Sequence, residues 1–345
     1  MKSRVPAALG AVVALALVAA ACGGSGSSSS STAAGASSTS KSLTTVSMVQ
    51  DWPFAWAPWI PWIVADQRGY FQKQGIKLKV IIPGNVSDPA KIISTGRANV
   101  AFTTILDVIL SKAQGANLTA TGALTQQNNW GIIFRQGDKP NICGLKGKRV
   151  GIYEDAWTKA QLKLMLGSCG LSESDITAVP APSDTALLLL AKKVDATTGV
   201  TNGEQAEIDT RGKEHSTMVL GKDHGVPNSY VDVLAMNGDF LSKHPTTAKA
   251  FMTAYRQGLQ WAIAHPSQAV TIFLHRYPGA ASRAQAVDAW KATVASVQSA
   301  DTKAHGLLWS NGAVWSTVAA TLRKEGLTTK TVDAKTLYTN SLLAS

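Results

Sequence analysis

From Leu43 onward, short apolar runs alternate with longer amphipathic segments, the rhythm of an α/β protein with largely parallel sheets. The pattern predicts strands at 45–49, 77–82, 100–103, 119–124, 130–134, 149–153, 196–200 and 230–236. Helix starts carry their own chemistry. Asp88-Pro89 offers a carboxylate cap ahead of a proline in the first turn, opening a helix over 90–95. Ser183 before Asp184 does the same for 186–193. Past Met236 the period turns helical: Ala248, Phe251, Met252, Tyr255, Leu259 and Ala262 recur every three or four residues. His265-Pro266 ends that helix and starts another. A middle segment, about 137–229, therefore lies between two stretches of one larger unit.

The first residues change the picture. Lys2 and Arg4 precede an uncharged stretch from Pro6 to Ala21, shorter than the roughly 20 residues a bilayer needs. It ends in Ala19-Ala20-Ala21 before Cys22, so residues 1–21 read as a cleaved signal peptide. Residues 22–42 are Ser- and Gly-rich, without apolar periodicity, and read as a tether with an end-to-end distance of roughly 25 Å. Small residues ending at a Cys, then Gly23-Gly24, resemble the lipobox of bacterial lipoproteins. That resemblance implies a diacylglycerol-modified Cys22 and an extracytoplasmic body anchored to the cell membrane by its lipid; Ala19 stands where the family usually has Leu.

The 345 residues are 45% hydrophobic and 16% charged, ample for a large core. The net charge of +11 raises the question of nucleic acid, but the longest basic cluster is Lys146-Gly-Lys148-Arg149. With no run of five or six like charges, a solvated basic surface is the reading, not a nucleic-acid partner. With Cys22 used, Cys143 and Cys169 remain. Spacing alone leaves a bridge or two buried thiols open, but both map to one edge of a strand-helix unit, which favours the bridge.

Ala65-Asp-Gln-Arg-Gly-Tyr-Phe71 with Gly75-Ile76, Leu145-Lys-Gly-Lys-Arg-Val-Gly151, Val194-Asp-Ala196, His265-Pro-Ser-Gln-Ala-Val270, Trp315, Glu325-Gly-Leu327 and Leu337-Tyr-Thr-Asn340 appear in this order. Together they resemble the solute-binding proteins of ABC importers, in the family that binds sulfonates, taurine, nitrate and thiamine-pyrimidine precursors. The resemblance implies a type II periplasmic-binding-protein-like fold with a ligand cleft between two lobes, one from 43–136 with 231–345 and a second from 137–230, joined by chain crossings near Gln136–Lys139 and Asn228–Asp232. It also implies a monomer that delivers a small molecule to a cognate permease and needs no cofactor.

In open parallel sheets, ligands meet the loops after the carboxyl ends of strands. The first such loop holds Trp52, Trp56, Trp59 and Trp62, separated by prolines. Flat faces held this rigidly suit stacking against a heteroaromatic ring, and Trp52 and Trp56 are the candidates; Trp59 and Trp62 fit the inner face of the following helix. The pyrimidine-binding branch of the resembled family carries an Asp-Trp-Thr-Pro-Asn type sequence here. This chain keeps Asp51-Trp52 and replaces the rest with Pro53-Phe-Ala-Trp56, which favours a larger or more apolar ring, such as a flavin. Further polar or aromatic candidates at strand ends are Asn85, Thr103, Thr104, Gln127, Tyr153 and Trp157. In the second lobe, Gly199-Val-Thr-Asn-Gly-Glu204 resembles the branch segment that meets the pyrimidine, implicating Asn202 and Glu204. A carboxylate at Glu204 suits ring N–H and amino donors and repels sulfonate or nitrate.

Enzyme motifs are missing: there is no HExxH, CxxC or Walker loop, and the six His show no ligand spacing. A eukaryotic relative of the fold makes the thiamine pyrimidine from its own His and a bound pyridoxal phosphate, with a Cys-rich iron motif absent here. The expectation is a binding protein, not an enzyme.

Overall fold

The computed structural model describes residues 42–83, 89–181, 184–212 and 215–343. The leader, Cys22, nearly all of the tether, Asn85 and the cap candidates Asp88 and Ser183 lie outside the described residues. No helix among the described residues is long and apolar enough to cross a membrane.

The strands are β1 (Thr44–Val49), β2 (Ile76–Ile81), β3 (Val100–Thr104), β4 (Leu118–Ala123), β5 (Trp130–Phe134), β6 (Arg149–Ile152), β7 (Thr177–Pro180), β8 (Ala196–Val200), β9 (Thr217–Leu220) and β10 (Asp232–Asn237). They form two sheets of matching topology, β2-β1-β3-β10-β4 and β7-β6-β8-β5-β9, one in each of two α/β lobes. In each sheet the first three strands are parallel, whereas the fourth, β10 or β5, runs antiparallel to both its neighbours.

The alternation of side chains along these strands builds the cores. In β10, Leu234 and Met236 face a cluster with Trp59, Trp62, Phe251 and Tyr255, while Val233 and Ala235 face Ile105, Ile109 and Trp315. In β5, Ile132 and Phe134 face one core of the second lobe and Ile133 the other. The first expected crossing is therefore corrected. Residues 130–134, read as part of the first lobe, pair with β8 and β9, so the chain leaves the first sheet across 124–129 and not at Gln136–Lys139. An apolar run declares a buried strand, but not which of two sheets supplies its hydrogen-bond partners. The return lies between β9 and β10.

The helix Pro245–Ala264 ends at His265, and Pro266–Arg276 follows directly. Cys143, in the turn before β6, is joined to Cys169, just past the helix Ala156–Gly167, by a disulfide with Cα atoms 5.1 Å apart. The cap of the helix Thr185–Leu190 is Asp184, whose carboxylate accepts from the Leu187 N–H. That accepted bond fills one of the donors every helix start leaves open.

Candidate functional site

Strand ends from both sheets converge on a cavity of about 280 Å³. The first lobe contributes Asp51 and Trp52 after β1, Thr104 at the end of β3, and Asp232 at the start of β10. Because β10 runs antiparallel, its first residue lies beside the last residue of β3: Asp232 pairs with Thr104. The second lobe contributes Tyr153 after β6, Trp157 in the next helix, and Gly199, Val200 and Glu204 at and beyond the end of β8.

Aromatic rings form the walls. Trp52 meets Tyr153 of the other lobe edge to face, with centroids 4.9 Å apart, and Trp157 meets Trp130 at 6.2 Å. Trp56 also lines the cavity. Trp59 and Trp62, by contrast, are wholly buried in the first-lobe core. Trp59 nevertheless reaches the site from below, because its Nε1–H donates to Asp51 Oδ1 at 3.1 Å.

Glu204 sits in a π-helical turn, Thr201–Gln205, and lines this cavity as well as a neighbouring, larger one of about 510 Å³. One carboxylate oxygen accepts from the Tyr153 hydroxyl at 2.7 Å and the other from the Val200 N–H at 2.9 Å. Each oxygen keeps a further acceptor direction. The glycine at 199 makes this packing possible, since a Cβ there would lie 2.7 Å from both Cβ and Oε2 of Glu204. Burial pushes the Glu204 carboxyl above its ordinary range. Burial likewise raises the Tyr153 hydroxyl, with the adjoining Glu204 charge acting in the same direction.

Asp51 is raised to about 7 by burial, which outweighs the hydrogen bonds from the Trp59 indole and the Trp52 N–H. Asp232, 2% exposed, is pushed well above the carboxylate range by burial and then by the charge of Asp51. The sequence pattern places residue 232 in a strand beside a chain crossing and does not single it out for a ligand. Its one signal was an acid opening an otherwise apolar strand.

Other candidates have hydrogen-bond partners within the protein. The Thr103 and Thr104 hydroxyls donate to Asp107, and Thr104 caps the helix Ile105–Ala113; of the two, Thr104 lines the cavity. Gln127 does not line either cavity: its amide oxygen accepts from Lys222 at 3.1 Å. Asn202 lines the larger cavity, with its amide held between Asn129 and Thr293. Polar residues next to strand ends have helix starts and loops to satisfy before any ligand.

Among the described residues lining the smaller cavity, Asp51, Asp107, Asp155, Glu204 and Asp232 are acidic and none is Lys, Arg or His. A pyridoxal phosphate needs an amine for its aldehyde, and its phosphate is repelled by the acids around it, so these residues do not fit it.

A cleft between two such lobes, with the chain crossing between their sheets, is the architecture of a periplasmic binding protein. Among solved structures, the chain resembles the ligand-binding component of an ABC-type import system from Staphylococcus aureus, with a TM-score of 0.66 at 16% identity over 87% of this chain and 98% of that one. It also resembles the periplasmic aliphatic sulphonate binding protein SsuA from Escherichia coli, at TM-score 0.64 and 13% identity, over 87% and 94% of the two chains. The chain belongs to the NMT1/THI5 like family, which matches residues 56–269.

A curated relative, the 4-amino-5-hydroxymethyl-2-methylpyrimidine phosphate synthase of Schizosaccharomyces pombe, is 26% identical over 226 residues, 63% of this chain. The chain spans 65% of that relative's length. Further fungal relatives carry the same name, that of an enzyme. The expectation that the chain is not an enzyme is thereby corrected: it rested on missing motifs, and missing motifs exclude nothing in a family whose relatives include synthases.

Proposed function

We propose that the protein is an extracytoplasmic solute-binding lipoprotein that captures a small, neutral or weakly basic heteroaromatic compound, of the thiamine-pyrimidine-precursor type, for an ABC importer. The observation carrying this reading is the pairing of Trp52 and Trp56 on one lobe with Tyr153 and Glu204 on the other around a single cavity. Flat rings supply stacking surfaces, and the carboxyl of Glu204 supplies an acceptor for ring N–H or amino groups. At about 280 Å³ the space is near the small end of ligand sites, roughly 300 Å³ upward, which favours a single ring over a flavin. The alternative, a sulfonate, taurine or nitrate, finds no basic side chain among the described lining residues. The positive net charge of the chain speeds the encounter with anions, whereas direct contacts set specificity.

Thermal shift of residues 43–345 against aminopyrimidines, thiamine, riboflavin, taurine, alkanesulfonates and nitrate tests the reading. An aminopyrimidine at 100 times its Kd should add about 2.7 kcal/mol. Stabilisation by taurine or a sulfonate alone would reject it. Trp52→Ala should weaken ring binding at least several-fold in a fluorescence titration, because stacking contributes about 0.5–1.5 kcal/mol beyond area burial. Anchoring is proposed at Cys22, so the full-length Cys22→Ser protein should leave the membrane fraction; retention there would count against lipidation.

A second reading, that the pyrimidine is made and not only held, is favoured by the names of the fungal relatives. Mass analysis of the compound released from purified protein separates the two. An added ring recovered unchanged supports capture; a pyrimidine appearing where none was added supports synthesis.

A further inference from the structure

Lining the cavity, the first lobe holds two acids, Asp51 after β1 and Asp232 at the head of β10, on strands that flank β3. They differ in how they are satisfied. Asp51 Oδ1 accepts from the Trp59 indole and the Trp52 N–H. Asp232 Oδ2 is buried with no hydrogen-bond partner, while the backbone N–H of the same residue is satisfied by the Thr125 hydroxyl at 2.9 Å. A buried, unpartnered carboxyl oxygen costs free energy in a ligand-free fold. The Tyr255 hydroxyl, whose ionisation is opposed by burial and then by the charges of Asp232 and Asp51, is also buried without a partner. Neither of the two lobes offers a cation here: the described lining residues include no Lys, Arg or His.

We propose that Asp232 is a specificity-determining ligand contact, whose Oδ2 accepts a hydrogen bond from an amino or protonated ring nitrogen of the bound heterocycle. This rests on the heteroaromatic reading above and narrows it to rings with an amino group on one edge and a protonatable ring nitrogen on another, one facing Asp232 and the other Glu204. Stacking on Trp52 does not distinguish such a ring from its methyl analogue; an acceptor fixed on β10 does. The burial that raises Asp232 works in the same direction, since an arriving N–H or cationic nitrogen offsets the desolvation of the carboxyl. An anionic group placed there meets two acids and no donor of positive charge.

The test is a comparison of two probes of similar shape, 4-amino-2-methylpyrimidine and 2,4-dimethylpyrimidine, on the folded body by calorimetry. Wild type should prefer the amino compound, and Asp232→Ala should reduce that preference about tenfold or more, as for a hydrogen bond to a charged group. Trp52→Ala should weaken both probes alike. Asp232→Asn, which keeps the side-chain shape, should reduce the preference less but raise the ligand-free melting temperature, because it removes a buried ionisable group. This opposite movement of stability and selectivity distinguishes a ligand contact from a structural residue. An unchanged preference in both variants overturns the role of Asp232 and leaves the heteroaromatic reading standing. If wild type binds neither probe nor any other ring, that reading falls and this inference with it.

Discussion

The ligand-free protein should lose stability as pH rises from about 4 to about 7, by about 4 kcal/mol from Asp51 alone. The sign follows from proton counting. Asp51 titrates near 7 when folded and near 3.8 when unfolded, so between these values the native state holds more protons than the unfolded chain. Stability then falls as pH rises. The penalty is absent below the unfolded value and complete above the folded one. Asp232 is shifted in the same direction and extends the window upward. Around the pair, Tyr255 from the helix Pro245–Ala264 and, across the cleft, Tyr153 and Glu204 are all acids, so none supplies a positive charge to offset it. Asp175 and Asp195 are lowered by their hydrogen bonds, from Ser172 and Arg149 respectively, and act with the opposite sign below pH 4, outside this window. Denaturant unfolding at half-unit pH steps reads the slope. The Asp51→Asn, Asp232→Asn double variant should remove most of it; a wild-type curve that is flat or rises toward pH 8 contradicts the burial of the pair.

Gly258→Ala should destabilise the fold by about 3 kcal/mol, at the upper end of overpacking costs, although alanine is the better helix former. Gly258 lies inside the helix Pro245–Ala264 where it crosses the helix Ile60–Gln67. A Cβ there would lie 2.2 Å from the Pro61 carbonyl oxygen and 2.7 Å from the Ala65 Cβ. The first of these atoms is backbone and has no rotamer to escape into, so one helix must move. That helix follows directly on Trp59, the indole donor to Asp51, and ring affinity should fall together with stability. Equilibrium unfolding and a ligand titration on the same preparation read both. A variant with raised melting temperature, as at an open helix position, would show that the two helices do not approach so closely.

These two effects mark where sequence reading stops. Period-two and helical patterning located most strands within one or two residues, because the central strands are buried on both faces and read as unbroken apolar runs. It passed over β7 and β9, four residues each, at the two edges of the second sheet. Edge strands are half-buried, and β7 ends in a proline, so neither shows a clean alternation. In the site, Trp52, Trp56, Tyr153, Trp157 and Glu204 were legible as aromatic or acidic residues after predicted strands. Gln127, Asn202 and Thr103 were equally legible, yet their polar groups serve Lys222, Asn129 with Thr293, and Asp107.

The sequence by itself determined the α/β class and the rigid Trp-Pro loop at the first strand end, because both follow from local period and composition; the two-lobed plan came from the resemblance to solute-binding proteins. Only the tertiary structure decided that β5 joins the second sheet, that Asp232 stands over the same cavity as Asp51, and that Gly258 is a helix contact. Each depends on which distant segment becomes a neighbour. The antiparallel entry of β10 brings residue 232 back to the end of β3 from 128 positions later in the chain, as the Asp232 and Thr104 pairing shows. A lone acid opening an apolar strand has no local pattern to announce it; its meaning arises from the long-range hydrogen-bond register that buries it beside a second acid.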